Sequence, residues 1–234
     1  AGHGHMGLTQ SLEHSCDVFY YEMAQRVGID KIAEMARRMG IGVPHDLPMS
    51  AVSDGLAPDK GWKVKKYGKE WLIGDTLNAS IGQGFVLASP LQLAVMTARI
   101  ASGRAVAPRL VRSVNGKDVP LTEAPSLGIN ENILRVVRRG MFDVMNSRKG
   151  TAYASRVVDD TMRMAGKTGT SQVRNITAAE RARGVISNED LPWNRRDHAL
   201  FVCFAPYDAP RIAVSVVVEH GGGGSAVAAP IARD

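Results

Sequence analysis

Near the end of the chain two runs of β-branched and aromatic residues, ALFVCFA from Ala199 and RIAVSVVVE from Arg211, are separated only by PYDAP. A connection that short can return the chain only antiparallel, because a parallel crossover needs a dozen or more residues. The last third of the sequence is therefore committed to a β-hairpin. MRMAGKTGT, earlier in the same third, reads as a further strand. Any fold proposed for the rest must cover that sheet.

The preceding residues change period from two to 3.6. Over LTQSLEHSCDVFYYEMAQRVG the apolar positions Leu8, Leu12, Phe19 and Met23 keep helical spacing, with a break at Ser15 to Asp17, and Gly28 ends the element. A second helix is expected from Asp30 as N-cap, with Ile32, Met35, Ala36 and Met39 on one face and Gly40 just past its end. Residues 41 to 80, rich in Gly, Pro, Asp and Lys, read as long surface loops, and their basic run KVKKYGK (Lys63 to Lys69) as one of these. SPLQLAVMTARIAS then opens a helix, with Ser89 as N-cap, Pro90 at the first helical position and Gln92 completing a capping box. Another helix is expected from about Asn130 to Asn146, with Ile133, Val136, Val137, Met141, Val144 and Met145 inward.

With 234 residues, 44% of them hydrophobic, there is enough apolar material for one sizeable core. The expectation is a single domain over residues 1–234, helical over about 8–146 and sheet-forming over about 151–234, an α/β (α+β) arrangement of helices packed on antiparallel strands. The net charge of +6 comes from 29 basic residues scattered along the chain, so a solvated basic surface is expected and no nucleic-acid partner. Two cysteines, Cys16 and Cys203, do not make a disulfide framework. No apolar run of about 18 residues occurs, so any membrane anchor is expected upstream of this chain.

MAGKTGTSQV, Met164 to Val173, carries the chemistry. Along a strand side chains alternate, which puts Thr168 and Thr170 on one face and Lys167 on the other. Gly169 leaves room for a substrate backbone, the Thr170 amide can donate to a developing oxyanion, and Lys167 offers positive charge to a carboxylate or a neighbouring hydroxyl. HSCDVFYYEMA adds Ser15 and Asp17 at a helix break. S-x-x-K, S-D-N and K-T-G together mark serine β-lactamases and penicillin-binding proteins. Two of these elements can be placed here, S-C-D at 15 to 17 and K-T-G at 167 to 169.

WLIGDTLNASIGQGFVLASPLQLAVMTARIAS, GTAYASRV, AGKTGTSQV and the segment from ALFVCFA to the end resemble the transpeptidase domain of class B penicillin-binding proteins, within it the penicillin-binding protein 2 group of the cell-elongation machinery. Essentially the whole chain is covered. The resemblance implies a penicilloyl-serine transferase fold with a five-stranded antiparallel sheet flanked by helices, here incomplete. It also implies a D,D-transpeptidase that attacks the D-Ala-D-Ala end of a peptidoglycan stem peptide and transfers the acyl group to a neighbouring amine. Penicillins are captured as mimics of that donor. By matching motif, Ser15 relays protons, Asp17 positions substrate, Lys167 polarises Ser15, the hydroxyls of Thr168 and Thr170 take the substrate carboxylate, Gly169 lets the substrate backbone approach, and the Thr170 amide forms half of the oxyanion hole. The implied setting is the periplasmic face of the bacterial inner membrane, with elongation-complex membrane proteins as partners.

This sequence departs from the family pattern in two places. Asp17 stands where asparagine is commoner, removing a donor amide and adding negative charge. None of the serines, from Ser11 and Ser15 through Ser225, has a lysine three residues on, so the S-x-x-K nucleophile is expected upstream of Ala1, and the end at APIARD is expected to continue into a covering helix. Catalysis is expected to need no cofactor. Several Gram-negative relatives carry a structural zinc held by two aspartates, a histidine and a cysteine, and His3 and Cys16 match the last two. A free buried thiol is the alternative reading of Cys16. Cys203 reads as a small buried hydrophobe, His198 and His220 as strand-end polar residues, and RNITAAERARGVISNEDLPWNRRDH as a solvated connection. The competing functions are a catalytically silent penicillin-recognising sensor or scaffold and a serine β-lactamase.

Overall fold

The computed structural model describes residues 2–174 and 176–234. The chain divides into two compact units, one made of the residues up to Cys16 together with Val137–Asp234, the other of Asp17–Val136. In chain order the elements are α1 (Leu8–Glu13), α2 (Asp17–Val27), α3 (Ile29–Arg38), α4 (Lys60–Tyr67), α5 (Ile73–Ser80), α6 (Pro90–Ser102), β1 (Ser113–Val114) and β2 (Lys117–Asp118). These are followed by α7 (Glu131–Asn146), β3 (Ala165–Ser171), α8 (Ala178–Arg183), β4 (His198–Ala205), β5 (Ile212–Val218) and α9 (Ala229–Arg233). No helix among the described residues is long and apolar enough to cross a membrane.

The sheet unit is ordered β3-β4-β5, antiparallel throughout. Of the five strands that the resemblance implies, the described residues supply these three to the sheet. The middle strand carries the core. Ala199, Phe201 and Cys203 alternate onto one face and pack with Val144 and Met145 of α7, Met164, and Ala228 and Ala229 at the C-terminal end. Burial pushes the Cys203 thiol up to about 12, so it stays protonated and behaves as the small hydrophobe the sequence suggests. Register places Lys167 opposite Val202, Thr168 opposite Phe201 and Gly169 opposite Leu200. Thr168 thus shares the face of the packed core, and Lys167 the other face.

In the helical unit, Ser89 and Gln92 make the reciprocal capping box at α6, each backbone N–H donating to the other's side chain at 3.2 Å. The Gln92 amide also donates to Val43 O and Asp54 O, which fixes the loop ahead of the helix. The start of α3 differs from expectation. Gly28, at φ +84°, is its N-cap, and Asp30 lies in the first turn, where its carboxylate accepts the Lys60 N–H at 3.2 Å. The buried positions there are Ile29 and Ala33, and Met35 is exposed. In α7, Val144 and Met145 are buried as expected, whereas Ile133 and Val136 are exposed.

The larger correction concerns residues 41 to 80, which contain two helices where loops were expected. Asp59 caps α4 by accepting the Trp62 N–H at 2.8 Å, a bond that holds its carboxyl below the usual range with help from Arg37. Lys63 is on that helix, not in a surface loop. Its side chain is 8% exposed and forms an ion pair with Asp75 of α5. Burial alone would raise the Asp75 carboxyl, but the hydrogen bonds from Lys63 and the Leu72 N–H, and the Lys63 charge, hold it below its ordinary value. Lys63 also lies 5.8 Å from the ring centroids of Trp71 and of Phe85. The segment from Arg174 to His198 is mostly exposed but not featureless, because α8 lies in it and Glu180 pairs with Arg174 at 2.7 Å. Asn175, part of that segment, lies outside the described residues.

Candidate active site

The site begins with the way α1 ends. The N–H groups of His14, Ser15 and Cys16 donate back to Gln10 O, Leu12 O and Ser11 O at 3.0, 3.2 and 2.9 Å. Closing those bonds turns Ser15 into the left-handed region at φ +50°, a conformation that costs a non-glycine residue of order 1–3 kcal/mol and is concentrated at functional sites. The turn aims the Ser15 hydroxyl at β3, where the Lys167 Nζ donates to Ser15 Oγ at 2.8 Å. The same Nζ donates to Thr168 O at 2.8 Å. An ammonium is donor only. Ser15 Oγ is therefore the acceptor towards a protonated Lys167, and its own hydrogen is left to donate elsewhere.

Thr168 is half-buried, and its Oγ1 lies 3.0 Å from Thr151 Oγ1. The Thr151 N–H in turn donates to Glu13 O at 3.3 Å, at the end of the helix that leads into Ser15. Thr170 is exposed at the far end of β3. The structure brings Ser15, Lys167, Thr168 and Thr151 together in one unit. Asp17 is the first residue of α2, at the start of the helical unit, where a carboxylate complements the helix N-terminus.

Gly169 has a close approach, but from the protein itself. A Cβ placed on Gly224 would lie 2.4 Å from Gly169 O and 2.2 Å from Leu200 O, so neither alanine nor anything larger fits at 224 without backbone movement. The glycine-rich EHGGGG turn therefore backs the K-T-G strand. His198 and His220 help close that turn. The His220 N–H donates to His198 Nδ1 at 2.9 Å, and His220 Nδ1 lies 2.9 Å from Arg196 O.

His3 stacks on His14, ring centroids 5.5 Å apart, and Cys16 is buried. Among the described residues no group of three or more His, Cys, Asp or Glu side chains stands close enough to hold a metal. His3 and Cys16 would fill at most half of a tetrahedral zinc site, so the residues present do not by themselves fit that ion. Thr151 is the site residue that sequence reasoning missed. Its only signal was its place in GTAYASRV, since nothing local marks a threonine that pairs with a strand 17 residues on.

The sequence profile of the penicillin binding protein transpeptidase domain matches residues 1–234. The chain is 34% identical to the peptidoglycan D,D-transpeptidase MrdA of Haemophilus influenzae, over 99% of its own length and 36% of that protein. It is 35% identical to the MrdA protein of Escherichia coli K12, over 97% of its length and 36% of that protein. Among solved structures, penicillin-binding protein 2 of Helicobacter pylori in complex with MreC superposes with a TM-score of 0.82 at 32% identity, covering 99% of this chain and 39% of that one. The Pseudomonas aeruginosa PBP2 structure in complex with WCK 5153 also gives 0.82, at 34% identity, covering 97% and 48%. The chain thus spans between about a third and a half of the length of these relatives. With the fold and the full-length profile in agreement, the chain belongs to the penicillin-binding protein transpeptidase domain family.

Proposed function

We propose that this chain is part of a peptidoglycan D,D-transpeptidase and holds the proton-relay and carboxylate-binding side of its acyl-transfer site. The observation that carries the reading is the 2.8 Å contact between Lys167 Nζ and Ser15 Oγ, with Thr168 beside it. In the first step a serine outside these 234 residues attacks the carbonyl of the penultimate D-Ala. Its Oγ–C bond forms, the C–N bond to the terminal D-Ala breaks, and the serine proton reaches the leaving amine through Ser15. Lys167 keeps Ser15 polarised and adds positive charge where the oxyanion and carboxylate gather. In the second step an amine of a neighbouring stem takes the acyl group and returns its proton by the same route. Thr168 and Thr170 hold the terminal carboxylate, the Thr170 amide donates to the oxyanion, Gly169 admits the substrate backbone, and Asp17 takes the substrate-positioning place.

Support comes also from the relatives, which carry the name D,D-transpeptidase at 34% and 35% identity. The same reading makes β-lactams acylating ligands. It sets the protein on the periplasmic face of the bacterial inner membrane, with membrane proteins of the elongation complex as partners. The full-length protein, given a pentapeptide substrate ending in D-Ala-D-Ala, is expected to release D-alanine and to stop doing so after penicillin treatment. No release by folded protein would overturn the assignment.

The structural zinc implied by the resemblance would require ligands beyond His3 and Cys16. Metal analysis is therefore expected to find about one zinc per full-length protein and far less in the 234-residue chain. Cys16→Ser should remove the metal from the full-length protein and lower its thermal stability. Near-zero zinc after purification without chelator, or no stability loss in Cys16→Ser, would remove the ion from the account.

A further inference from the structure

Thr151 touches both halves of the site. Its hydroxyl meets Thr168 Oγ1 at 3.0 Å, and its backbone N–H holds Glu13 O, two residues ahead of Ser15. Each threonine hydroxyl has one hydrogen to donate and lone pairs to accept with. In the Thr151–Thr168 contact only one of the two hydrogens can be used, so the pair has two arrangements. If Thr168 donates to Thr151, it has no proton left for a ligand. If Thr151 donates to Thr168, the Thr168 hydrogen is free to point outward to an anion, and the bond behind it strengthens the one in front.

We propose that Thr151 is a positioning residue for carboxylate recognition, donating to Thr168 so that the Thr168 hydroxyl donates to the carboxylate of the acyl donor. The inference rests on the transpeptidase reading and adds to it a residue that never touches substrate. Thr168 shares the core face of β3 and is half-buried, so few other partners can set its rotamer. The neighbouring Ala152 is buried in the core and its N–H donates to Val144 O at 3.0 Å, which fixes the Thr151 backbone. Thr151 is therefore held from both sides.

The test uses the full-length protein with benzylpenicillin and its methyl ester, which lacks the carboxylate charge. Thr151→Val, near-isosteric but without the hydroxyl, is expected to lower the acylation rate constant for the acid about fivefold to tenfold, the worth of one hydrogen bond of roughly 1.0 to 1.4 kcal/mol, mainly through weaker pre-covalent binding. The ester should react with both proteins at similar rates, and Thr151→Ser should restore the parent value with the acid. If Thr151→Val does not fold, Thr151→Ala takes its place. In either background the double variant with Thr168→Val should lose no more than Thr168→Val alone, because the two hydroxyls act as one unit. An equal loss with acid and ester, additive losses in the double variant, or acylation within twofold of the parent would overturn the proposal. D-alanine release by the parent protein separates the levels, since its absence from folded protein would remove the transpeptidase reading itself, whereas unimpaired acylation in a Lys167→Ala control would remove only Lys167 from the reacting site.

Discussion

Intact-mass spectrometry of the 234-residue chain after incubation with a fluorescent penicillin is expected to return the unmodified mass, while the full-length protein acquires one adduct. Acyl-enzyme formation needs a serine whose proton is removed as it attacks, and the family places that base one helical turn after the nucleophile. No serine in this sequence has a lysine at that spacing. Ser15 is engaged differently, accepting from Lys167 at 2.8 Å out of a left-handed turn at a helix end. In the proposed relay role that arrangement would pass a proton, while a protonated Lys167, being donor only, is no base for the hydroxyl. On the proposed reading Lys167, Thr168 and Thr170 remain able to meet the drug carboxylate, so weak reversible binding is the most this chain should give. Circular dichroism on the same sample establishes that the chain is folded. A stoichiometric adduct mapped to any serine of this chain would overturn both the relay role of Ser15 and the external nucleophile.

What could be read from the sequence follows the range of the interaction. The Ser89–Gln92 capping box spans three residues and was visible from spacing alone, as was the failure of helical period at Ser15 to Asp17. The hairpin of β4 and β5 was forced by the shortness of its connection. The two helices at Lys60–Tyr67 and Ile73–Ser80 were hidden because the burial of Lys63 depends on Asp75 and on the rings of Trp71 and Phe85. A lysine without its partner reads as solvated. At the site, K-T-G was legible as a motif, and Ser15 became a partner for Lys167 only through the resemblance, since the two are 152 residues apart. Thr151 had no such help. Its contact with Thr168 is made across chain segments and leaves no local pattern. Gly224 reads as one of a run of glycines, and only the nearness of Gly169 O and Leu200 O to where its Cβ would stand shows why a side chain is excluded there.

In the full-length protein, Lys167→Ala is expected to slow acylation by penicillin by roughly 10² to 10³, the scale of losing one preorganised electrostatic contact from an acyl-transfer site. Two losses coincide in that variant. Ser15 Oγ no longer has a donor at 2.8 Å to hold its hydrogen towards the reacting groups, and the half-buried ammonium no longer offsets the negative charge that collects on the carboxylate and the oxyanion. The fold should survive, because β3 is held by its ladder to β4, and Lys167 faces away from the core cluster of Phe201 and Cys203. A thermal melt close to that of the parent would separate lost chemistry from lost structure. Acylation within a factor of about three of the parent corresponds to less than about 1 kcal/mol of transition-state stabilisation. That result would place Lys167 outside the reacting site and leave its contact with Ser15 as a structural pairing.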